Sequence, residues 1–383
     1  MGLSYTGDRL QELAQGWLVA LLTGSALAVG GIGVLSSIPM LLMPLGGVIA
    51  EQADRRRLLL TGQWAGAFIT GVMATLAFTN NIAVWHIYVW AFISGMVWMV
   101  IRPANKVIVT EVVPLNEVRP AVSLNSITET SALVLTNAGG SALIGWLGLP
   151  VAFVLNSASY LAAIFCLGRM LGIDRPRDTS KGHTSFTRLF TDLKEGMVYL
   201  ARHKDLLHPL LLTFAFILLI SPSTSLPAAI VHGQDGSIVH LGLLGAAGSL
   251  GAFSGALYAG MKSELDPLRT YAMFSLIAAV GLTVFIIKPI SLTGGMALYT
   301  LGFLAFTQAV WNTSRVPRLA EPDFQARLQS LTSMAFTLGA PLGALWGGIV
   351  IDRFGLPALI VGAVLLAVIS TVTWIMTHYR SER

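Results

Sequence analysis

The chain has 383 residues, of which 54% are hydrophobic and only 11% charged, with a mean hydropathy of +0.72. That excludes an ordinary soluble domain, in which about one residue in four is charged. The net charge is +5, and the basic residues cluster between apolar runs, which assigns them to membrane-face loops near anionic headgroups and not to nucleic-acid binding.

A helix crosses a hydrocarbon core of about 30 Å with roughly 20 apolar residues. Twelve stretches fit, at 3–22, 28–50, 58–79, 83–104, 122–146, 149–170, 206–231, 238–261, 268–287, 291–314, 328–351 and 356–378. The expected fold is an all-α membrane protein, with twelve transmembrane helices in two six-helix bundles, 1–171 and 206–383, joined by a linker at 172–205. Cytoplasmic connections retain lysine and arginine. With the amino terminus inside, Arg55 to Arg57, Arg102, Lys106, Arg119, the cluster from Arg169 to Lys204, Lys262, Arg269, Arg315, Arg318, Arg327, Arg380 and Arg383 are cytoplasmic. Only Lys288 and Arg353 fall outside, so both termini are expected on the inner face.

The opening residues lack a basic start and a small-residue cleavage site, so the first span is expected to be permanent. It carries Asp8, Arg9 and Glu12. Charge inside a membrane is costly and marks a cavity or a partner, which makes all three candidates for a substrate and proton path. Asp8 and Glu12 lie one turn apart and share a face with Gln15. Two carboxylates so close are expected to share a proton, unless Arg9 neutralises one of them.

The second and third spans are joined by a loop containing Gly46, Gly47, Glu51, Gln52, Asp54, Arg55, Arg56 and Arg57. Helix ends expose unpaired backbone groups and partial charge that a carboxylate or guanidinium can satisfy. Gly47, Glu51, Asp54, Arg55 and Arg56 are therefore expected to form a cytoplasmic gate, with Glu51 and Asp54 latching a neighbouring helix end. The arginines equally serve as inner-face anchors.

On the fourth span Trp90, Ser94, Trp98 and Arg102 recur every four residues, an aromatic face ending in a cation. Such a face packs against neighbours or holds a planar or cationic ligand, and Trp98 and Arg102 are candidate cavity residues. On the fifth, Asn125, Glu129, Thr136 and Gly140 draw one polar stripe at helical spacing. A lipid-facing stripe would be expensive, so Asn125 and Glu129 are expected to line the central cavity. Pairing of Glu129 with Arg9 or Arg102 is the alternative. Cys166 in the sixth span is the single cysteine, so no disulfide or thiolate metal cluster forms within the chain.

The linker turns periodic at Phe186, Leu189, Leu193, Met197 and Leu200, which predicts an amphipathic helix lying on the inner membrane surface or docking onto the protein. Ser221-Pro222 to Pro227 is expected to bend the seventh span. The segment from Gly255 to Arg269, with Lys262, Glu264 and Asp266, reads as a decayed copy of the Gly47–Arg57 loop. The tenth span offers Thr307, Gln308, Trp311 and Asn312, of which Gln308 is a candidate cavity residue. Gly347, Gly348, Asp352, Arg353 and Gly355 read as an ordinary helix-ending turn on the outer side.

Two six-span halves with this loop after the second span resemble the major facilitator superfamily. Gly47 matches the glycine of its loop motif, Glu51 the acid, and Arg55 and Arg56 the closing basic pair, whereas Gln52 and Asp54 depart from it. The segments Gly7 to Ser25 and Arg102 to Ser126 resemble the branch containing the enterobactin exporter and similar bacterial effluxers. The glycine-proline signature of many exporters has no proline here, where the fifth span reads Thr136-Asn137-Ala138-Gly139-Gly140.

This resemblance implies a secondary transporter of the bacterial inner membrane that exports a small amphipathic compound, a siderophore or a drug, in exchange for protons. It implies a monomer among membrane lipids, with no cofactor and no bound metal. A lysophospholipid or metabolite carrier, or a non-transporting scaffold on the same fold, remains open. No Gly-x4-Gly-Lys-Ser/Thr phosphate loop is present, so the chain is not expected to hydrolyse ATP or to act as an enzyme.

Overall fold

The computed structural model describes residues 2–43, 46, 54–112, 124, 128, 131–169, 186–262 and 266–381, and every regular element among them is a helix. In chain order these are α1 (Gly2–Thr23), α2 (Ala26–Met40), α3 (Arg55–Phe78), α4 (Val84–Val112), α5 (Ser131–Leu147) and α6 (Pro150–Arg169). After α7 (Phe186–Arg202) come α8 (Lys204–Ser225), α9 (Pro227–His232), α10 (Ile238–Met261), α11 (Pro267–Ile287), α12 (Leu292–Leu319), α13 (Pro322–Phe354) and α14 (Ile360–Ser381), with a 3-10 turn at Leu356–Leu359 before α14.

Eight of the described helices are long and apolar enough to cross a membrane. The described parts of α2 and α5 are shorter, and α1 carries Asp8, Arg9 and Glu12. The count of twelve spans therefore rests on the hydropathy pattern.

Helix starts follow local chemistry. Asp54 precedes α3 and accepts the Arg57 N–H at 3.1 Å, while Asp266 precedes α11 and accepts the N–H groups of Leu268 and Arg269. Each aspartate also pairs with an arginine three residues on, Asp54 with Arg57 at 3.3 Å and Asp266 with Arg269 at 3.5 Å. The second half thus keeps the aspartate cap of the first, and the cap serves its own helix. Among the described residues the contacts of the Asp54 carboxylate are to the start of its own helix, α3.

The bend expected in the seventh span is present, and two other spans differ in length. The seventh span breaks into α8 and α9 at Leu226, and Pro227 begins the new helix, where its missing N–H has no partner to lose. The tenth and eleventh spans run longer than hydropathy suggested, as α12 and α13, because polar turns at the C-terminal end of α12 and at both ends of α13 continue the helix beyond the apolar stretch.

The described chain divides into two compact units, Met1–Thr23 with Ile32–Phe186 and Ser237–Gly242, and Gly24–Gly31 with Thr187–Gly236 and Leu243–Arg383. In the first, α6 packs against both α1 and α3. In the second, α11 packs along α14 and α8 along α13, with α12 against α8 and α11.

The amphipathic linker helix α7 docks within the second unit. Tyr199 is buried, stacks on Phe324 at 4.3 Å between ring centroids, and receives the Glu321 N–H at its hydroxyl. It shares a core with Leu206, Val316, Ala320 and Leu328, and Glu195 pairs with Arg327 at 2.6 Å. Met197, placed by periodicity on the apolar face, is 54% exposed. The protein-facing side runs instead through Gly196, Tyr199 and Leu200, because the ring and the glycine allow the closest approach to α13.

Candidate functional site

The first unit holds a buried polar cluster where α1, α3 and α6 meet. Glycines make the approach possible: a Cβ at Gly7 would lie 2.3 Å from Asn156 Oδ1, and one at Gly66 would lie 2.6 Å from the Tyr160 ring. Through these gaps Asn156 and Tyr160, one turn apart on α6, reach α1. The Tyr160 hydroxyl donates to Asp8 Oδ1 at 2.6 Å, and Asn156 Nδ2 donates to the same oxygen at 3.2 Å and to Gln11 Oε1 at 2.6 Å. Ser159 Oγ donates to the Asn156 carbonyl at 2.7 Å and lies 3.1 Å from Asn156 Oδ1.

Asp8 is 3% exposed, Gln11 is fully buried, and Gln15 is 1% exposed. Asp8 Oδ2, the Gln11 amide nitrogen and both amide atoms of Gln15 have no hydrogen-bond partner among the described residues. Buried polar atoms are ordinarily satisfied, since leaving one unpaired costs about 1–3 kcal/mol. The cluster therefore retains capacity for a proton or a polar group.

Glu12 does not join it. It lies about 40° further round α1 than Asp8, is half exposed, and pairs with Arg9 at 2.5 Å. Of the two arrangements expected for Asp8 and Glu12, the contacts match neutralisation by Arg9, which pairs with Glu12 while Tyr160 and Asn156 hold Asp8. A second chain of contacts runs from that ion pair. The Arg9 guanidinium lies 5.0 Å from the Tyr5 ring centroid, Tyr5 meets Trp98 edge to face at 6.2 Å, and Arg102 lies 5.2 Å over Trp98. Arg9, Glu12, Trp98 and Arg102 are thus brought together on the facing sides of α1 and α4.

The fifth span departs from its expected stripe. Thr136–Gly140 forms a π turn, which breaks the 3.6-residue phase. Thr136 and Gly140 are buried against α1, where the Thr136 hydroxyl approaches the Thr6 carbonyl at 3.5 Å and Gly140 faces Leu10, so they pack and do not line a cavity. Asn125 and Glu129 lie outside the described residues, as do Gly47 and Glu51 of the expected gate, and the Arg55 side chain is likewise undescribed. Arg56 donates through Nη2 to the Gly168 carbonyl at 2.8 Å and so closes the end of α6.

The second unit has its own buried polar chain. Tyr271 and Thr213 share a hydrogen bond of 2.5 Å, Asn312 Nδ2 donates to Thr213, and Arg315 Nη1 donates to Asn312 Oδ1 at 2.8 Å. Gln308 is buried one turn before Asn312, with neither amide atom partnered among the described residues. The sequence reading missed Asn156, Tyr160, Thr213 and Tyr271. Their only sequence signal is polar or hydroxyl residues inside apolar spans, with the four-residue spacing of Asn156 and Tyr160.

A family model described as transmembrane secretion effector matches residues 2–383. The uncharacterized MFS-type transporter YfiS of Bacillus subtilis is 24% identical over 396 residues, covering 97% of this chain and 90% of its own length. Macrolide efflux protein A of Streptococcus pyogenes is 20% identical over 343 residues, covering 87% of this chain and 83% of its own. Among solved structures, a peptide transporter in complex with alafosfalin superposes with a TM-score of 0.70 at 12% identity, over 99% of this chain and 94% of that one. An inward-facing bacterial homologue of the iron transporter ferroportin gives 0.69 at 15% identity, over 97% and 96%. At those identities the likeness establishes the major facilitator fold and says nothing of cargo.

Proposed function

We propose that this chain, which belongs to the transmembrane secretion effector family of major facilitator transporters, exports a small amphipathic compound, a drug or a siderophore, by proton-coupled alternating access. The likeness to macrolide efflux protein A supports outward movement of such compounds. Coupling rests on one observation, the buried Asp8 carboxyl. Oδ1 keeps its two donors, Tyr160 and Asn156, whichever way the proton moves, and the unpartnered Oδ2 is the atom that takes and releases it.

In this reading Arg9, Glu12, Trp98 and Arg102 receive the cargo, an aromatic wall with charge at both ends suited to an amphipathic molecule. Asn125 and Glu129 add polar contacts, and Gly47, Glu51, Asp54, Arg55 and Arg56 act at the cytoplasmic gate. The protein works as a monomer in the bacterial inner membrane, with both termini cytoplasmic and no cofactor.

The test is reconstitution into proteoliposomes with an imposed proton gradient and a panel of macrolides and siderophores. Gradient-dependent flux of one panel member is the expected result. Flux that ignores the gradient for every compound would count against coupling, and neither binding nor flux for any compound would favour a scaffold.

A further inference from the structure

A cavity of about 610 Å³ opens at one end of the second unit, where the first residues of α8 and α11 meet the last residues of α10 and α12. Its charged lining is Lys204, Lys262, Arg315 and Arg318 against Asp205 and Asp266. Asp266 is committed to the N–H groups of Leu268 and Arg269 and to the Arg269 side chain, which lies outside the wall. Asp205 sits in the first turn of α8, where the partial positive charge of the helix end offsets it. Among the described residues the wall carries four cations against two carboxylates.

One of the cations, Arg315, is held in place. Arg315 is 8% exposed, hydrogen-bonded to Asn312, and lies 5.6 Å over the Tyr271 ring. The Trp311 indole N–H donates to the Lys262 carbonyl at 3.0 Å and fixes the end of α10. At the rim stand exposed apolar side chains, Met261 and Leu319, which water alone does not favour.

We propose that this cavity binds the phosphate of an anionic phospholipid of the inner leaflet, with the headgroup between Lys262, Arg315 and Arg318 and the start of the acyl chains against Met261 and Leu319. The assignment to the inner leaflet rests on the positive-inside orientation. Basic pockets between membrane helices at that face suit such headgroups. A free phosphate or phosphate ester would meet the same cations, but it would leave the apolar rim unused. The residues of this site belong to the second unit, whereas Asp8 and Trp98 belong to the first.

The experiment uses the full chain purified with an equal mixture of phosphatidylglycerol and phosphatidylcholine, and native mass spectrometry reads the lipid retained. The wild type is expected to retain phosphatidylglycerol preferentially. Each removed cation is expected to weaken retention about fivefold, so Lys262→Gln with Arg318→Gln brings the two lipids near parity. The charge-keeping pair Lys262→Arg with Arg318→Lys retains the preference and separates loss of charge from loss of fold. Equal retention by the wild type, or an undiminished preference in the Gln pair, overturns the proposal. So does inorganic phosphate that binds the wild type, is lost in the Gln pair, and leaves phosphatidylglycerol retention unchanged, since the occupant is then a free phosphate.

Discussion

Asp352, near the end of α13, caps the start of α2 at Ser25. The Ser25 hydroxyl donates to Asp352 Oδ2 at 2.5 Å, and the N–H groups of Ala26 and Leu27 donate to its two oxygens at 2.7 and 3.2 Å. Ser25 Oγ itself accepts the Ala28 N–H at 3.0 Å, so the first three orphan donors of α2 are satisfied by two side chains more than three hundred residues apart. One turn earlier, Gly348 brings the two backbones together, since a Cβ there would lie 2.7 Å from Leu27 Cα. What reads in sequence as a helix-ending turn is also a cap for a distant helix.

Asp352→Ala is expected to lower stability by about 2 kcal/mol, because charge-assisted bonds to a helix start are lost at once. Ser25→Ala should act through the same contact, so the double variant should fall short of additivity. Melting temperatures of the four forms in one detergent measure this, and simple additivity would separate the two residues.

Asp8→Asn keeps the shape of the carboxyl and removes its proton chemistry. It is expected to abolish gradient-driven transport while leaving exchange of cargo without a gradient, as followed in proteoliposomes. Tyr160→Phe removes one donor to Oδ1 and should slow coupled flux without abolishing it. Gly66→Ala is expected to resemble Tyr160→Phe, because the added methyl displaces the Tyr160 ring. Full gradient-driven flux in Asp8→Asn would remove this residue from the mechanism.

Glu129→Gln is the rival experiment. If coupling resides on Glu129, this variant loses gradient-driven flux while Asp8→Asn keeps it; the expectation here is that Asp8→Asn is at least as severe. Glu12→Gln leaves Arg9 without its ion pair, and is expected to change the apparent affinity for cargo more than the coupling to protons. Flux titrated against cargo concentration, with and without the gradient, separates the two effects.

Tyr199→Ala should weaken docking of α7 by about 3 kcal/mol, since a buried aromatic is removed from a packed cluster. Glu195→Gln breaks a half-exposed ion pair and should cost less than about 1 kcal/mol. Protease susceptibility between 186 and 202 is the readout, rising strongly for the first variant and little for the second.

The class of fold was legible because a bilayer imposes length and apolarity on each span, and those are properties of composition. The aspartate caps before α3 and α11 are made within four residues, but the sequence reading assigned Asp54 to a neighbouring helix end and Asp266 only to a copied loop. The site was legible only in part. Asp8 stood out as a charge in an apolar run, but Glu12 stood out equally, and nothing local told their partners apart.

The sequence by itself determined an all-helical membrane protein, the amphipathic character of α7, and Asp8 as a charge needing a partner. Only the tertiary structure decided that Tyr160 and Asn156 are those partners, that Arg9 takes Glu12, that α7 docks through Tyr199, and that Asp352 caps α2. Each of these depends on which faces meet across long sequence separations. That choice is made by glycine-permitted approach and side-chain reach between helices, which no single helix's pattern encodes.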